Sequence, residues 1–600
     1  MEDKFYSERN LKFLLYEVHD AVSLTKLDYY KEHNKKMFDM VLDAANKLAK
    51  NMMRPMREDM DRNPPELVNG TVKVHPDVRK LMAECGNGGW ITASKPVDHG
   101  GDQLPLMITE SSQFIFCAAN YSAAVYPGLS AGASHLIESY GTQELIDTYT
   151  PNIHAGKWQG TMALTEPQAG SSLADIETTA TPTDQGYYLL KGQKVFISAG
   201  DHDGVDNQVH LMLAKIKGAP AGVKGISLFV VPKLRPAKGG KLEPNDCVCS
   251  GVFHKMGYRG APIAQLSVGD ANDCHGWLVG EANKGLSYMF QMMNEARLGV
   301  GLGATGIASA AYYASLAYSK ERLQGRPIGQ KDPTKPMVPI ITHPDVRRTL
   351  LFQKAIVEGS HSLLLQCCKY ADMVRALKGT DSEKFALLLD LLTPVAKTYP
   401  SEMGILSVSN GLQCLGGSGY CDDYPLEQYY RDMRIHPIHE GTTAIHGMDI
   451  LGRKVTMKEG KAFTLFQTEV KETIAAAKAI KGLEGYADKL EAALADLIKT
   501  TDFLLKLSKE KAPQYYLADA SLYLELFGIV VIAWQWLLQG IASAKAQEGA
   551  AAKDARFYEG KLVALKFFFV YEMPKMKGLM ERLLAPDGLT VDMDPEIFND

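Results

Sequence analysis

Cysteine is too sparse here to build a scaffold: nine in 600 residues, an odd number, with no CxxC pair among them. That excludes a disulfide-stapled secreted fold and a paired-cysteine zinc site, and it fits a reducing, cytoplasmic setting. An excess of one charge is also missing. With 65 Lys and Arg against 70 Asp and Glu, the formal net charge is -5, so the chain lacks the strongly basic footprint of a nucleic-acid binder. The opening residues mix acids with bases and hold no apolar run, which matches neither a signal peptide nor an Arg-rich, acid-poor transit peptide. Long apolar stretches are absent except for LFGIVVIAWQWLLQGIASA, residues 526–544. Gln535 and Gln539 interrupt it and no strongly basic flank anchors it, so it reads as a buried helix rather than a membrane span. No repeat of about 20 to 50 residues occurs, which excludes a solenoid.

What the chain does have is length and an ordinary apolar content of 46%, enough for several domains. Apolar residues fall at helical spacing from Met37 through Leu48, and the texture continues to about residue 158 apart from turns such as DHGGDQLP. Short runs rich in β-formers then replace it: GYYLLKG, KVFISAG, VHLMLAKI, GISLFVVP. After LVGEANKGL the helical period returns, with an Ala- and Gly-rich stretch at 293–323 whose small residues permit close helix packing, and more amphipathic helices follow. The expected architecture is α+β and multidomain: an N-terminal extension at 1–36, a helical domain at 37–158, a β domain at 159–280, a helical domain at 281–465 and a helical C-terminal extension at 466–600.

Two stretches carry candidate chemistry. MALTEPQAGSS, residues 162–172, ends in Gly and Ser residues whose main-chain N–H groups can take a phosphate or a polar ring edge; it also reads as a plain helix-to-strand connection. IHPIHEGTTAIHG, residues 435–447, packs three histidines around one glutamate. A helical zinc motif sets its ligands one turn apart, as in HExxH. Here the order is HxxHE, Pro437 sits inside and Gly441 follows, so no regular helix is expected through His436 and His439, His446 stands at no ligand spacing, and no metal is expected. What remains is Glu440 beside Gly441, at the entry to a helix starting near Thr443. It is either a carboxylate tuned as a general base or a cap for the helix that follows, and the residue types alone leave both open.

Taken in order, MALTEPQAGS, KVFISAG, KMGYRG, GWLVGEANKGLSYMF, ERLQGRPIG, LQCLGGSGY and YRDMRIHPIHEGTT resemble the acyl-CoA dehydrogenase family from about residue 141 to 452. The extra length at both ends looks like the larger branch of that family, which includes 3-methylmercaptopropionyl-CoA dehydrogenase. The resemblance implies a fold with an N-terminal helical domain, a barrel-like middle β domain and a C-terminal four-helix bundle, with FAD between the last two. It implies that Thr165, Gly170 and Ser171 contact the flavin ring and pyrophosphate, that Phe196 and Ser198 stand beside the flavin where relatives carry Trp and Thr, and that Thr442 also meets the cofactor. Arg322, Gln324, Gln413 and Gly417 match positions that reach the FAD of a neighbouring subunit, which makes a homodimer the expected minimum.

By the same resemblance Glu440 removes the α-proton of an acyl-CoA thioester, while its main-chain N–H and a ribityl hydroxyl bind the thioester oxygen. The flavin takes the β-hydride and a trans-2-enoyl-CoA results, with Arg297 and Gly441 at the substrate. Some relatives carry the base on another helix, just before an arginine; that place holds Ala296 here, and Glu295 is one residue early, about 100° around a helix. Ala444 departs from the Gln of several relatives. Electrons are expected to pass to an electron-transfer flavoprotein. An acyl-CoA oxidase using oxygen, a flavin-containing nucleic-acid-associated relative, and a membrane-surface role for ALKFFFVYEMPKMKGL in the tail stand as alternatives, with packing of that tail on its own subunit preferred to the last. Nothing in the motifs sets the acyl chain.

Overall fold

The β-forming runs close into a ring. In the computed structural model, which describes residues 4–547, 549 and 552–599, the chain divides into two units, Lys35–Ala296 and Met1–Asn34 with Arg297–Asp600. The first begins with helices α1 (Lys35–Leu48), α2 (Asp77–Asn87), α3 (Leu106–Tyr140) and α4 (Gln143–His154). A sheet of eight strands follows: β1 (Trp158–Ala163), β2 (Thr179–Pro182), β3 (Tyr188–Ser198), β4 (Asn207–Ile216), β5 (Ile226–Pro232), β6 (Cys247–Val252), β7 (Ile263–Val268) and β8 (His275–Val279). β3 pairs with β8, β8 with β5 and β5 with β4, all antiparallel. The short β2 pairs antiparallel with β3 and parallel with β4, so five strands form a closed circuit. β1 is added in parallel beside β4, and β7 then β6 beside β3. The expected barrel-like β domain is present in this form, and its filling is the run of Val, Leu, Met and Phe in β4 and β5, where residues 207–214 and 226–232 are buried without interruption.

Two local departures shape this unit. α3 bends at Asn120, whose backbone leaves the helical region at φ -163° and ψ 101°. The Asn side chain repairs the break, accepting from the Ala123 N–H at 3.2 Å and donating to the Met53 carbonyl at 3.1 Å, as a cap does at any helix start. In the pairing of β3 with β7, the register shifts between Ala264 and Leu266. Such a bulge re-aims a side chain, and the one re-aimed is Phe196, at φ +58°. Its ring is 60% exposed between the buried Val195 and Ile197.

The long helix α5 (Gly285–Glu321) gives its first turns to the first unit and the remainder, from Arg297, to the second. There it joins α6 (Pro344–Ala376), α7 (Gly379–Leu415), α8 (Leu426–Met433) and α9 (Thr443–Asp449), followed by α10 (Lys461–Lys478), α11 (Glu484–Glu510), α12 (Ala520–Gln547) and α13 (Ala552–Phe567). The small residues of α5 do bring helices close: a Cβ at Gly301 would lie 2.1 Å from the Ala396 carbonyl oxygen on α7.

α12 contains the long apolar run. By length and composition it could cross a membrane, but 78% of its apolar window is buried in the protein. The two glutamines that interrupt it settle its environment: Gln535 accepts from the Ser362 hydroxyl at 2.8 Å, and Gln539 donates to the Glu358 carbonyl at 3.3 Å. Trp534 and Trp536 donate to Thr473 and to the Ala355 carbonyl. In the tail, Phe567, Phe568 and Phe569 are buried, so the apolar face of the candidate membrane stretch is occupied by packing.

Residues before Asn34 are built into the second unit. Tyr30 donates to the buried Asp372 at 2.9 Å, the His19 ring meets the Ser362 hydroxyl at 3.0 Å, and Lys369 donates to the His19 carbonyl at 2.6 Å. Further along, buried Glu358 accepts from Lys354 at 2.5 Å and from Lys561 at 2.8 Å, and Lys561 also reaches Asn10. Tyr30→Phe removes a hydrogen bond to a charged group, worth about 1.5–3 kcal/mol. The expected result is faster tryptic cleavage at the exposed Lys26 and Lys31, followed by the rate at which intact chain disappears; an unchanged rate would mean that the segment is held by its apolar contacts alone.

Candidate active site

The turn 434–442 between α8 and α9 carries Glu440. No regular helix passes through His436 and His439, which lie in turns, and helix resumes only at Thr443. Glu440 has φ +53° and Gly441 φ +92°. A left-handed backbone costs a residue with a Cβ about 1–2 kcal/mol, so Glu440 is held there by its surroundings, whereas position 441 requires glycine. A Cβ at Gly441 would also come within 2.9 Å of His446 Nε2.

Glu440 does not cap α9. The N-cap residue is Thr442, and no side chain caps that end. Instead, among the described residues, the Glu440 carboxylate has no hydrogen-bond partner and its main-chain N–H has no acceptor. Burial pushes the carboxyl above its ordinary value, and the cations of Arg297 and Lys397 oppose that rise. A carboxylate with unused lone pairs and a raised pKa is suited to taking a proton.

The three histidines are neutral. Burial pulls His436 and His446 down to about 3 and His439 well below the usual imidazole value. His436 and His439 meet edge-on with ring centroids 5.3 Å apart. His446 Nε2 lies 3.0 Å from the Glu440 carbonyl oxygen; a carbonyl only accepts, so Nε2 carries the hydrogen and Nδ1 is the bare nitrogen. Among the described residues no group of three or more His, Cys, Asp or Glu side chains has metal-binding geometry.

Lys397, on α7, belongs to this site and had no place in the sequence reading. It is fully buried, and its Nζ donates to the Gly441 carbonyl at 2.7 Å. Burial brings its pKa down to about 8 against the opposing pull of Glu440 and Glu402. Glu402 in turn accepts from the Thr443 hydroxyl. Arg297, 5% exposed, is the second cation near Glu440; burial lowers its pKa, and Asp449 and Glu440 offset that. Glu295 faces elsewhere, pairing with His135 at 3.3 Å in the first unit.

The residues implied at a flavin fall into two sets. In the first unit the Val195 N–H donates to the Thr165 carbonyl at 3.0 Å, which ties the Thr165–Ser171 loop to β3. Glu166, next in that loop, forms a buried ion pair with Lys194 at 2.7 Å and accepts from the main-chain N–H groups of Glu177 and Thr178. Gly170 and Ser171 are exposed, and a Cβ at Gly170 would have only Thr165 Cγ2, at 3.9 Å, near it. Phe196 stacks on Phe253 at 4.5 Å and presents its ring to the exterior, with the part-buried Ser198 two residues on. An exposed aromatic ring beside open main chain and hydroxyls fits a flat, polar-edged ring such as a flavin. In the second unit Arg322, Gln324, Gln413 and Gly417 are exposed, and Thr442 is part-buried in the Glu440 turn. Two contacts order the first four: Tyr318 reaches Ser418 at 3.4 Å, and the Gln324 N–H bonds to the Val338 carbonyl.

Models of known domain families match three successive stretches of the chain: "Acyl-CoA dehydrogenase, middle domain" at residues 161–271, "Acyl-CoA dehydrogenase, C-terminal domain" at 283–455 and "Acetyl-CoA dehydrogenase C-terminal like" at 466–594. The chain is 34% identical to 3-methylmercaptopropionyl-CoA dehydrogenase of Ruegeria pomeroyi, with 93% of this chain and 94% of that protein covered. It is 32% identical to a butyryl-CoA dehydrogenase of Syntrophomonas wolfei, covering 100% and 99%. Among solved structures, an acyl-CoA dehydrogenase from Bacillus anthracis complexed with FAD superposes with a TM-score of 0.73 at 21% identity, covering 94% of this chain and 90% of that one.

Proposed function

The chain belongs to the acyl-CoA dehydrogenase family, and on that premise we propose that it oxidises a saturated acyl-CoA to the trans-2-enoyl-CoA with FAD as cofactor and Glu440 as the base. The observation that carries this reading is the Glu440 carboxylate itself: part-buried, without a hydrogen-bond partner among the described residues, and raised in pKa by burial.

An acyl thioester Cα–H is a weak acid, so its proton leaves only if the enolate-like oxygen is stabilised while the base takes the proton. Glu440 supplies the base, and its own unused main-chain N–H supplies a donor for the thioester oxygen. Burial raises the carboxyl pKa, and the cations of Arg297 and Lys397 oppose that rise, favouring the ionised form that takes the proton. FAD, when bound, supplies the acceptor for the hydride leaving Cβ. The two electrons of the Cα–H bond become the new double bond, the proton goes to Glu440, and the hydride carries two electrons away. Thr165, Gly170, Ser171, Phe196, Ser198 and Thr442 would hold the cofactor within a subunit. The exposed Arg322, Gln324, Gln413 and Gly417 would reach that of a second copy, which favours a homodimer.

Relatives alike over nearly the whole chain are named for butyryl, 3-methylmercaptopropionyl and broad-specificity linear acyl groups, so the acyl chain is to be read from turnover. The electron acceptor is taken to be an electron-transfer flavoprotein, and the setting cytoplasmic, in keeping with nine free thiols. The test is turnover of the purified yellow protein against acyl-CoAs of graded length, with ferrocenium as artificial acceptor and hydrogen peroxide followed in parallel. Enoyl-CoA formed with ferrocenium and little peroxide is expected. Peroxide equal to enoyl product would make the enzyme an oxidase, and no oxidation of any acyl-CoA would end the reading. The carboxylate must be ionised to act, so kcat/KM should rise as pH climbs through a value above the ordinary carboxyl 4.5.

A further inference from the structure

The two consecutive carbonyls at the centre of the Glu440 turn point to buried side chains from two different helices. The Glu440 carbonyl accepts from His446 Nε2 on α9 at 3.0 Å, and the Gly441 carbonyl accepts from Lys397 Nζ on α7 at 2.7 Å. Both donors are fully buried. Among the described residues these are the hydrogen bonds the two carbonyls make. The residues they belong to have the left-handed φ values of +53° and +92°, so the peptide planes most in need of external support are the ones that receive it.

We propose that Lys397 and His446 are the positioning residues of the catalytic turn, a clamp that fixes the Glu440–Gly441 peptide planes and so aims the Glu440 carboxylate and frees the adjacent N–H groups. The geometry explains the second part. A peptide bond is trans, so turning the carbonyls of Glu440 and Gly441 toward His446 and Lys397 turns the N–H groups of Gly441 and Thr442 the opposite way. Lys397 also brings a positive charge to the base, whereas His446 contributes a neutral donor. The other titratable groups near the turn are Arg297 on α5, Glu402 on α7, Asp449 on α9, and Arg434, His436 and His439 in the turn itself.

This inference rests on Glu440 being the base, and the variants separate the two statements. In FAD-loaded, full-length protein, His446→Leu removes the donor and is expected to lower kcat about 10- to 100-fold with KM changed less than about threefold, an estimate drawn from the sensitivity of catalysis to small misplacements. His446→Gln, whose amide N–H can serve the same carbonyl, should recover most of the loss. Lys397→Met should lower kcat and move the acid limb of kcat/KM to higher pH, because a cation facing the carboxylate is gone. Lys397→Gln keeps a donor without the charge; it should restore turnover relative to Lys397→Met while leaving the limb displaced, and it serves in its place where Lys397→Met does not fold. Wild-type kcat in His446→Leu, equal damage in His446→Gln and His446→Leu, or an unmoved acid limb in both Lys397 variants would overturn the clamp. If Glu440→Gln kept turnover, the base assignment would fall instead.

Discussion

Glu440→Gln should lower acyl-CoA turnover by about 10²–10⁴-fold, the usual contribution of a positioned general base, with FAD still bound and KM little altered. The amide keeps the shape and the main-chain geometry of the turn, including the N–H offered to the thioester oxygen, and removes only the capacity to take a proton. The loss should therefore appear in the step that bleaches the flavin when substrate is mixed anaerobically, read by stopped-flow absorbance. Bleaching at the wild-type rate would show that the α-proton goes to another group. Glu295 would not be that group on present geometry, since its carboxylate is engaged with His135 at 3.3 Å.

The largest expected effect on stability lies in the other unit. Glu166→Ala would leave the Lys194 ammonium, itself 0% exposed, without its carboxylate, and breaking a buried ion pair from one side costs about 3–5 kcal/mol. It would also orphan the N–H groups of Glu177 and Thr178, which now donate to Glu166 at 2.6 and 3.1 Å. Replacing both partners, Glu166→Leu with Lys194→Met, removes both charges and should be much less harmful. The urea midpoint and the fraction of bound FAD measure the effect, because this pair joins the Thr165–Ser171 loop to the strand that carries Phe196. Equal midpoints for Glu166→Ala and the double variant would show that the pair is solvated rather than buried. The pH dependence has a definite sign. The Glu166 carboxyl is held below its ordinary value by Lys194 and the two N–H donors, so its stabilisation is in place above the ordinary carboxyl value and is lost as pH falls through the lower, folded one.

The partition into helical, β and helical parts was legible because it depends on the period of the apolar pattern, which changes from helical spacing to short β-rich runs and back. The absence of a regular helix through His436 and His439 followed from Pro437 and Gly441, and the small residues of α5 announced its close approach to α7. Family membership was legible from the order of several motifs, none of them decisive alone. Lys397 was not legible. It lies in PVAKTYP, far upstream of Glu440, and only the packing of α7 against the turn brings its ammonium to the Gly441 carbonyl; the one local trace is a lysine in a stretch whose residues 391–401 are all buried. The direction of Phe196 was hidden for a similar reason. Strict alternation in KVFISAG does not reveal the shift against β7 that turns the ring outward. The lodging of residues 4–34 against helices of the second unit is likewise a matter of long-range fit, for which periodicity carries no information.

That lodging bears on how the chain is made. Residues 4–34 are made before Lys35–Ala296, yet their partners Ser362, Lys369, Asp372 and Lys561 are made after the whole of it. At about 5–20 residues per second, the first unit can fold while the early segment waits roughly 15–60 s for the remaining three hundred or so residues, on the same elongation rate. During that interval Phe5, Leu11, Phe13, Leu14 and Leu15, each almost wholly buried in the finished protein, have no native surface to cover them. Residues 4–34 thus stay open to chaperones and to misassociation while the first unit is made, and their docking is a late event of synthesis rather than an early one.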